Sequence, residues 1–346
     1  MTGRAGTAAM PRSGEGDREA RRRIRLGWTT ALTVAGCVLG LYLLYRTLSG
    51  YSAAQLAEAV RAIPLGRLAA AGGFAAGSYL CLTVGDWLAL RAVRHPLPYP
   101  RVALAAFISL AIGHSIGFAG LSSGAVRYRF YSRWGLGLAD SAKVIVFCGL
   151  TVALGLMALG AGALVLAPGL AGEITGLGRA GVYAVAGFCA AGVVLYLVLA
   201  ATLRTPLTIR RWSIEMPSLP IAAAQVAVGA VNFALVSACL HQVLLAVSDV
   251  AFLGVASVFV IANAAVLVTH VPGGVGVIES VVVYLLPKTD VVGPLLAFRL
   301  IYFLAPLLLG LVLFGAAEAV FRYRGRKTSG DTTARSVQAG EERGSA

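Results

Sequence analysis

The chain has 346 residues, of which 58% are hydrophobic and 13% charged, and its formal net charge is +14. Soluble globular domains carry about 25% charged residues, so the composition excludes a soluble enzyme or carrier and describes an all-α polytopic integral membrane protein. Nucleic acid is excluded as a partner as well, because the basic residues lie in short segments between apolar runs, where they set membrane topology and attract anionic headgroups.

Residues 1–26 form a polar, Arg- and Gly-rich tail with the composition of a disordered segment. A multi-span membrane domain is expected over 27–321, followed by a polar tail at 322–346. The first apolar run, 28–46, follows Arg21-Arg-Arg-Ile-Arg25 and reads as a retained anchor, not a cleaved signal peptide. A bilayer core needs about 20 apolar residues per helix, and the runs at 28–46, 66–90, 144–168, 180–203, 220–247, 250–270 and 292–320 meet that need. Two stretches fall short of it, 102–120 and 274–287. Arg91, Arg94 and Arg101 precede 102–120, and Arg127, Arg129, Arg133 and Lys143 follow it. Segregated basic charge belongs on one side, so 102–120 reads as a re-entrant hairpin, and 274–287 is left to cross as a short helix. The scheme has about eight spans, a re-entrant element and a broken helix, with both termini cytoplasmic. Arg46, Arg61 and Arg67 then lie outside and run against it. The five cysteines sit in five different apolar runs with no CxxC pair, which argues against zinc and disulfides.

Two stretches interrupt the membrane pattern. Thr269-His-Val-Pro-Gly-Gly-Val-Gly-Val-Ile-Glu279 places His270, Pro272, Gly273, Gly274 and Gly276 where continuous helix is otherwise expected. Unwound backbone survives in a bilayer only against protein or a wet cavity, so the break marks a binding site. The other is the segment from Gly113 to Tyr131. Ser123 can cap a helix that starts at Gly124 and stops at Gly135. On it Arg127 and Tyr131 share one face and Arg129 and Arg133 another. Arginines beside a helix start suit a phosphate; the alternative is a juxtamembrane helix that only obeys the charge rule. The stretches also echo one another, as His114-x-x-Gly117-x-x-Gly120 and His270-x-x-Gly273-x-x-Gly276, and paired broken helices point to transporter sites.

Asp86, Glu279 and Arg299 lie inside apolar runs, where an unpaired charge costs about 2.5–3.5 kcal/mol. Glu279 and Arg299 are placed to meet, either as a packing ion pair or as a substrate or proton site. His114 and His270 can relay protons or simply hydrogen-bond, and Gln225, Asn232 and Asn263 suit interhelical hydrogen bonds. No catalytic triad, metal-ligand spacing, Walker loop or dinucleotide fingerprint is present, so neither cofactor nor metal is expected.

Ser123-Gly-Ala-Val-Arg-Tyr-Arg-Phe-Tyr131, His270-Val-Pro-Gly-Gly-Val-Gly-Val-Ile-Glu279 and Phe298-Arg-Leu-Ile-Tyr302 follow in that order. Together they resemble the transmembrane region of the lysylphosphatidylglycerol synthetase/flippase family, over residues 28–320. The resemblance implies a bacterial inner-membrane protein that binds and flips an anionic or aminoacylated phospholipid or a lipid-linked substrate. Full-length members join this region to a soluble aminoacyltransferase domain, so the resemblance is to the stand-alone form. In this reading Arg127 and Arg129 hold a phosphate, while Gly273, Gly274 and Gly276 supply open backbone. Glu279 and Arg299 form a polar centre, and Tyr128, Tyr131 and Tyr302 line the headgroup region. Two alternatives stand beside it. One is a membrane-embedded headgroup transferase with Glu279 or His270 as base, and the other an accessory subunit of a partner lipid-modifying enzyme.

Overall fold

The computed structural model describes residues 53–116, 119–203, 207–209, 212–214, 216–269, 277–285, 291–321 and 323. The tail at 1–26, the run at 28–46, the centre of the second broken stretch (His270, Pro272, Gly273, Gly274 and Gly276) and the chain beyond Tyr323 lie outside the described residues.

Helices follow one another as α1 (Ala53–Arg61), α2 (Leu65–Ala92), α3 (Tyr99–Ile116), α4 (Ala119–Arg133), α5 (Leu138–Leu166), α6 (Pro168–Thr175) and α7 (Arg179–Thr202). After these come α8 (Leu219–Leu244), α9 (Phe252–Thr269), α10 (Val277–Leu285) and α11 (Val292–Phe321), the last carrying a π turn at Leu300–Leu304. Among the described residues α2, α5, α7, α8 and α11 are long and apolar enough to cross a membrane. Between α7 and α8, where the sequence showed only a basic loop, Leu207–Ile209 pairs antiparallel with Trp212–Ile214.

Side-chain contacts give the directions of these helices. α2 and α8 run antiparallel, joined where Ser78 Oγ donates to Asn232 Oδ1 at 2.7 Å. α5 packs beside α8 so closely that a Cβ on Gly229 would lie 2.9 Å from Gly155 Cα; only glycine on both helices permits that approach. The loop after α2, the end of α4 and the end of α11 gather at one end of the bundle. There His95 meets the Trp134 carbonyl, Phe130 and Trp134 pack on Phe321, and the Arg94 and Arg133 segments are found. At the far end, Ala167, Glu173, Leu244, Asp249 and Val282 line one pocket.

α3 and α4 form a helical hairpin that enters from the basic end and returns to it, as expected for 102–120. The two arms close where a Cβ on Gly113 would fall 2.7 Å from Ser123 Cβ. Its inner end reaches Tyr79, whose ring lies 6.1 Å from that of His114. Tyr79 is about 21 Å along α2, near the middle of that helix. α9 and α10 make the opposite insertion. α9 leaves the far end beside His241, whose ring meets Phe252, and α10 returns to that end, where Val282 lines the pocket with Leu244 and Val255. Of the expected crossing at 274–287 the described residues are Val277–Leu285; the remainder lies outside them.

The chain is thereby built twice. From Leu65 to Leu219, Tyr99 to Phe252, Ala119 to Val277 and Leu138 to Val292 the displacements are 154, 153, 158 and 154 residues. Each half is span, hairpin, span, and the halves point in opposite directions. α6 and α7 connect them. The echo of His114 in His270 is the sequence trace of this inverted repeat, at a displacement of 156.

Candidate functional site

The repeat interface contains two polar tiers about two helical turns apart along α2. The first is ionic. Arg127 lies on α4 and Asp86 on α2, with side chains 4% and 1% exposed. Arg127 Nε donates to Asp86 Oδ1 at 2.7 Å and Nη2 donates to Oδ2 at 2.9 Å. Its Nη1 donates to Ser123 Oγ at 2.8 Å. Asp86 Oδ1 accepts further from the Tyr131 hydroxyl at 3.3 Å and from Cys148 Sγ at 3.6 Å. A two-pronged guanidinium–carboxylate pair of this kind is the geometry in which Arg also binds phosphate. The i, i+4 reading holds: Arg127 and Tyr131 converge on Asp86, while Arg129 and Arg133 converge on Glu318. Arg129 donates twice to Glu318, from Nε and Nη2, each at 2.9 Å, and Arg133 Nη2 adds a bond at 3.2 Å.

These contacts revise the local expectations. α4 begins at Ala119, so Ser123 is not its cap but a partner of Arg127. Gly124 is not the helix start either. It is a close approach to α5, since a Cβ there would meet Ile145 Cδ1 at 2.7 Å. Gly135 does end the helix, with φ +94° and the Leu136 N–H bonded back to the Tyr131 carbonyl at 3.0 Å. Both arginines assigned to a phosphate face carboxylates, Asp86 and Glu318. Tyr131 is fully buried and Tyr128 half-buried.

The second tier is neutral and lies at mid-bundle. Tyr302, on the π turn of α11, shares a hydrogen bond with Ser78 Oγ at 3.0 Å, and its carbonyl accepts from the Tyr79 hydroxyl at 3.3 Å. Its ring stacks on Phe298 with 4° between planes and lies 6.4 Å from His114. The π turn widens the helix at this point, a device common at functional sites. Tyr302 thus sits about 15 Å below the start of α11, not in a headgroup layer. Arg299, one turn earlier, is buried with its guanidinium 5.7 Å from the Phe303 ring centre. The Glu279 side chain lies outside the described residues, and so does its expected meeting with Arg299.

A small cavity of about 40 Å³ lies beside the ionic tier, lined by Cys81, Gly85, Asp86, Arg127, Thr151 and Asn232 among others. Asn232 also bonds Ser78, and through it reaches Tyr302. Sequence reasoning saw Asp86 as a charge inside a span and Asn232 as an interhelical partner, but it did not connect either to the arginines. Ser78, Tyr79 and Glu318 carried no signal of their own.

A bundle with an inverted repeat, two oppositely inserted hairpins and a buried polar interface defines a multi-pass α-helical membrane protein. The family described as lysylphosphatidylglycerol synthase TM region matches residues 33–313. The chain belongs to this family. Among its relatives, an uncharacterized protein of Synechocystis sp., slr0712, is 33% identical over 75% of this chain and 82% of its own. Inner membrane protein YbhN of Escherichia coli (strain K12) is 29% identical over 73% of this chain and 80% of its own.

Proposed function

We propose that the protein translocates an anionic phospholipid or lipid-linked anion between the leaflets of a bacterial inner membrane, with its basic end cytoplasmic. The observation that carries this reading is the inverted repeat. Two hairpins enter from opposite ends, and the polar tiers lie at the interface of the halves, where transporters built from such repeats hold their substrates. Glycines at the α5–α8 contact and the π turn under Tyr302 are places where helices can shift with little side-chain obstruction. As the helices shift, the headgroup would move from the ionic tier past Asn232 to the Ser78–Tyr302 tier, while its acyl chains stay in the bilayer. Glu279, Arg299 and the 270–276 stretch would complete the path from the far end.

The test is lipid scrambling in proteoliposomes. NBD-labelled phosphatidylglycerol in the inner leaflet is protected from dithionite until it is moved outward. Proteoliposomes should lose the protected fraction faster than protein-free vesicles. Rates no faster than those of protein-free vesicles, for labelled phosphatidylglycerol and for a labelled polyprenyl phosphate alike, would rule the reading out.

A further inference from the structure

We propose that Asp86 stands in for the substrate's phosphate. A lipid phosphate diester displaces it from Arg127, and Asp86 takes up one proton as it leaves, so each anionic headgroup enters with a proton. This inference rests on the translocation reading and adds the coupling ion to it.

The geometry supports the exchange. Asp86 offers Arg127 two oxygens at 2.7 and 2.9 Å, the same two-oxygen face that a phosphate presents to a guanidinium. Both residues line the small cavity, so a headgroup that opens it by helix movement meets the pair directly. Gly85, beside Asp86, has open space where a side chain would project, so the wall next to the carboxylate is not blocked.

Charge balance supplies the proton. The resting pair is neutral overall. Adding a phosphate diester would leave one excess negative charge in a low-dielectric bundle, which is costly. Protonating Asp86 restores neutrality, because the phosphate then pairs with Arg127 and the carboxylic acid becomes a neutral hydrogen-bonding group. No bond other than the O–H of Asp86 forms, and the proton returns to water when the headgroup leaves. The ionisable groups facing Asp86 are Arg127 and Tyr131 on α4 and Cys148 on α5. On its own helix Cys81 shares the cavity, while α8 contributes Asn232, which does not ionise. On α3, His114 feels the charge of Arg127 and is the competing candidate for the proton.

The experiment measures binding of NBD-phosphatidylglycerol, which has no amine, to the purified protein in phosphate-free detergent across pH 5 to 8. Because one proton is taken up, wild-type affinity should fall about tenfold for each unit of pH rise. A pH dye in weak buffer should record one proton per lipid bound. Asp86→Asn imitates the protonated acid, so it should bind with the acid-pH affinity of the wild type and show no slope. His114→Gln should keep the slope. A flat wild-type profile, a slope that survives in Asp86→Asn, or a folded Asp86→Asn that no longer binds would each overturn the proposal. Should Asp86→Asn not fold, the wild-type proton count and the His114→Gln profile decide: a slope lost with His114 assigns the proton there. Inorganic phosphate competing as well as the lipid would make this a free-phosphate site and overturn the lipid assignment. The two readings fail differently. Absence of lipid binding at every pH, together with absence of scrambling, sinks both, whereas scrambling with pH-flat binding sinks only the proton coupling.

Discussion

The first hairpin, α3/α4, is tied to α2 and α11 by Arg127, Arg129 and Arg133. The second, α9/α10, packs through Val255, Phe259, Val260, Ile278 and Val282. Positions displaced by 154 to 158 residues from Arg127 hold Val281, Val282, Val283, Tyr284 and Leu285, and the residue 154 beyond Asp86 is Leu240. The frame is repeated but the chemistry is not. Ion pairs need defined geometry, whereas apolar burial is non-directional and tolerates sliding. One half is therefore held by fixed ion pairs, and the other supplies an apolar wall that can re-pack.

The largest expected effect comes from making the first half resemble the second in only one of its two partners. Asp86→Ala or Arg127→Ala leaves a single buried charge, and breaking such a pair costs about 3–5 kcal/mol. The double change Asp86→Leu with Arg127→Met removes both charges and should recover most of that loss. Thermal unfolding in detergent measures it. If the double variant is as unstable as the two single losses added together, the pair is not a coupled unit.

A smaller effect is expected at the seam between the halves. Gly155 belongs to the first half and Gly229 to the second, and their backbones touch. Gly155→Ala should destabilise by about 1–3 kcal/mol through overpacking. Gly149, six residues earlier in α5, has open space around it, so Gly149→Ala should be neutral or gain up to about 1 kcal/mol from helix propensity. Equal melting temperatures for the two variants would mean that the seam is loose.

The difference between the halves also decided what could be read from the sequence. The first hairpin was legible because basic residues flank 102–120 on both sides, and charge segregation allows few topologies. The second was not, since the only charges beside 274–287 are Glu279, Lys288 and Asp290, and its apolar run reads equally well as a short span. Helical spacing predicted correctly which arginines share a face. Their partners were hidden, because Asp86 and Glu318 lie 41 and 189 residues from Arg127 and Arg129, and one sequence carries no pairing information at such distances. The repeat survives in the sequence only as the His-x-x-Gly-x-x-Gly echo. Packing constrains helix length and direction far more than residue identity.

Glu279 and Arg299 test whether the second half has an ion pair of its own. In a double-mutant cycle with Glu279→Gln and Arg299→Gln, residues in contact should show a coupling of about 0.5–3 kcal/mol in thermal stability. Additive losses would leave the second half without an ion pair joining these two positions and would free Glu279 for direct contact with substrate. Either result sharpens the contrast between the hairpins, because only a coupled pair would make the second a weaker copy of the first.

The smallest expected effect concerns how the paired central helices end. α2 closes through Arg94 at φ +57°, with the His95 N–H bonded back to the Leu90 carbonyl at 3.0 Å. α8, its counterpart, ends at Leu245 with an ordinary helical φ of −61°. A left-handed residue with a Cβ costs about 1–2 kcal/mol, and glycine removes that cost while losing about 0.5–1 kcal/mol of backbone entropy. Arg94→Gly should therefore stabilise by roughly 0.5–1 kcal/mol, a rise of about 1–3 °C in Tm. Leu245→Gly has no strain to relieve and should lower Tm by a similar amount. The charge of Arg94 is only one of several at the basic end, so insertion should be unaffected, as cysteine labelling at Ser132 from either side of the membrane would show. If Arg94→Gly lowers Tm instead, the guanidinium contributes more at the end of α2 than its backbone costs, and the basic loop is held in place as well as oriented by its charges.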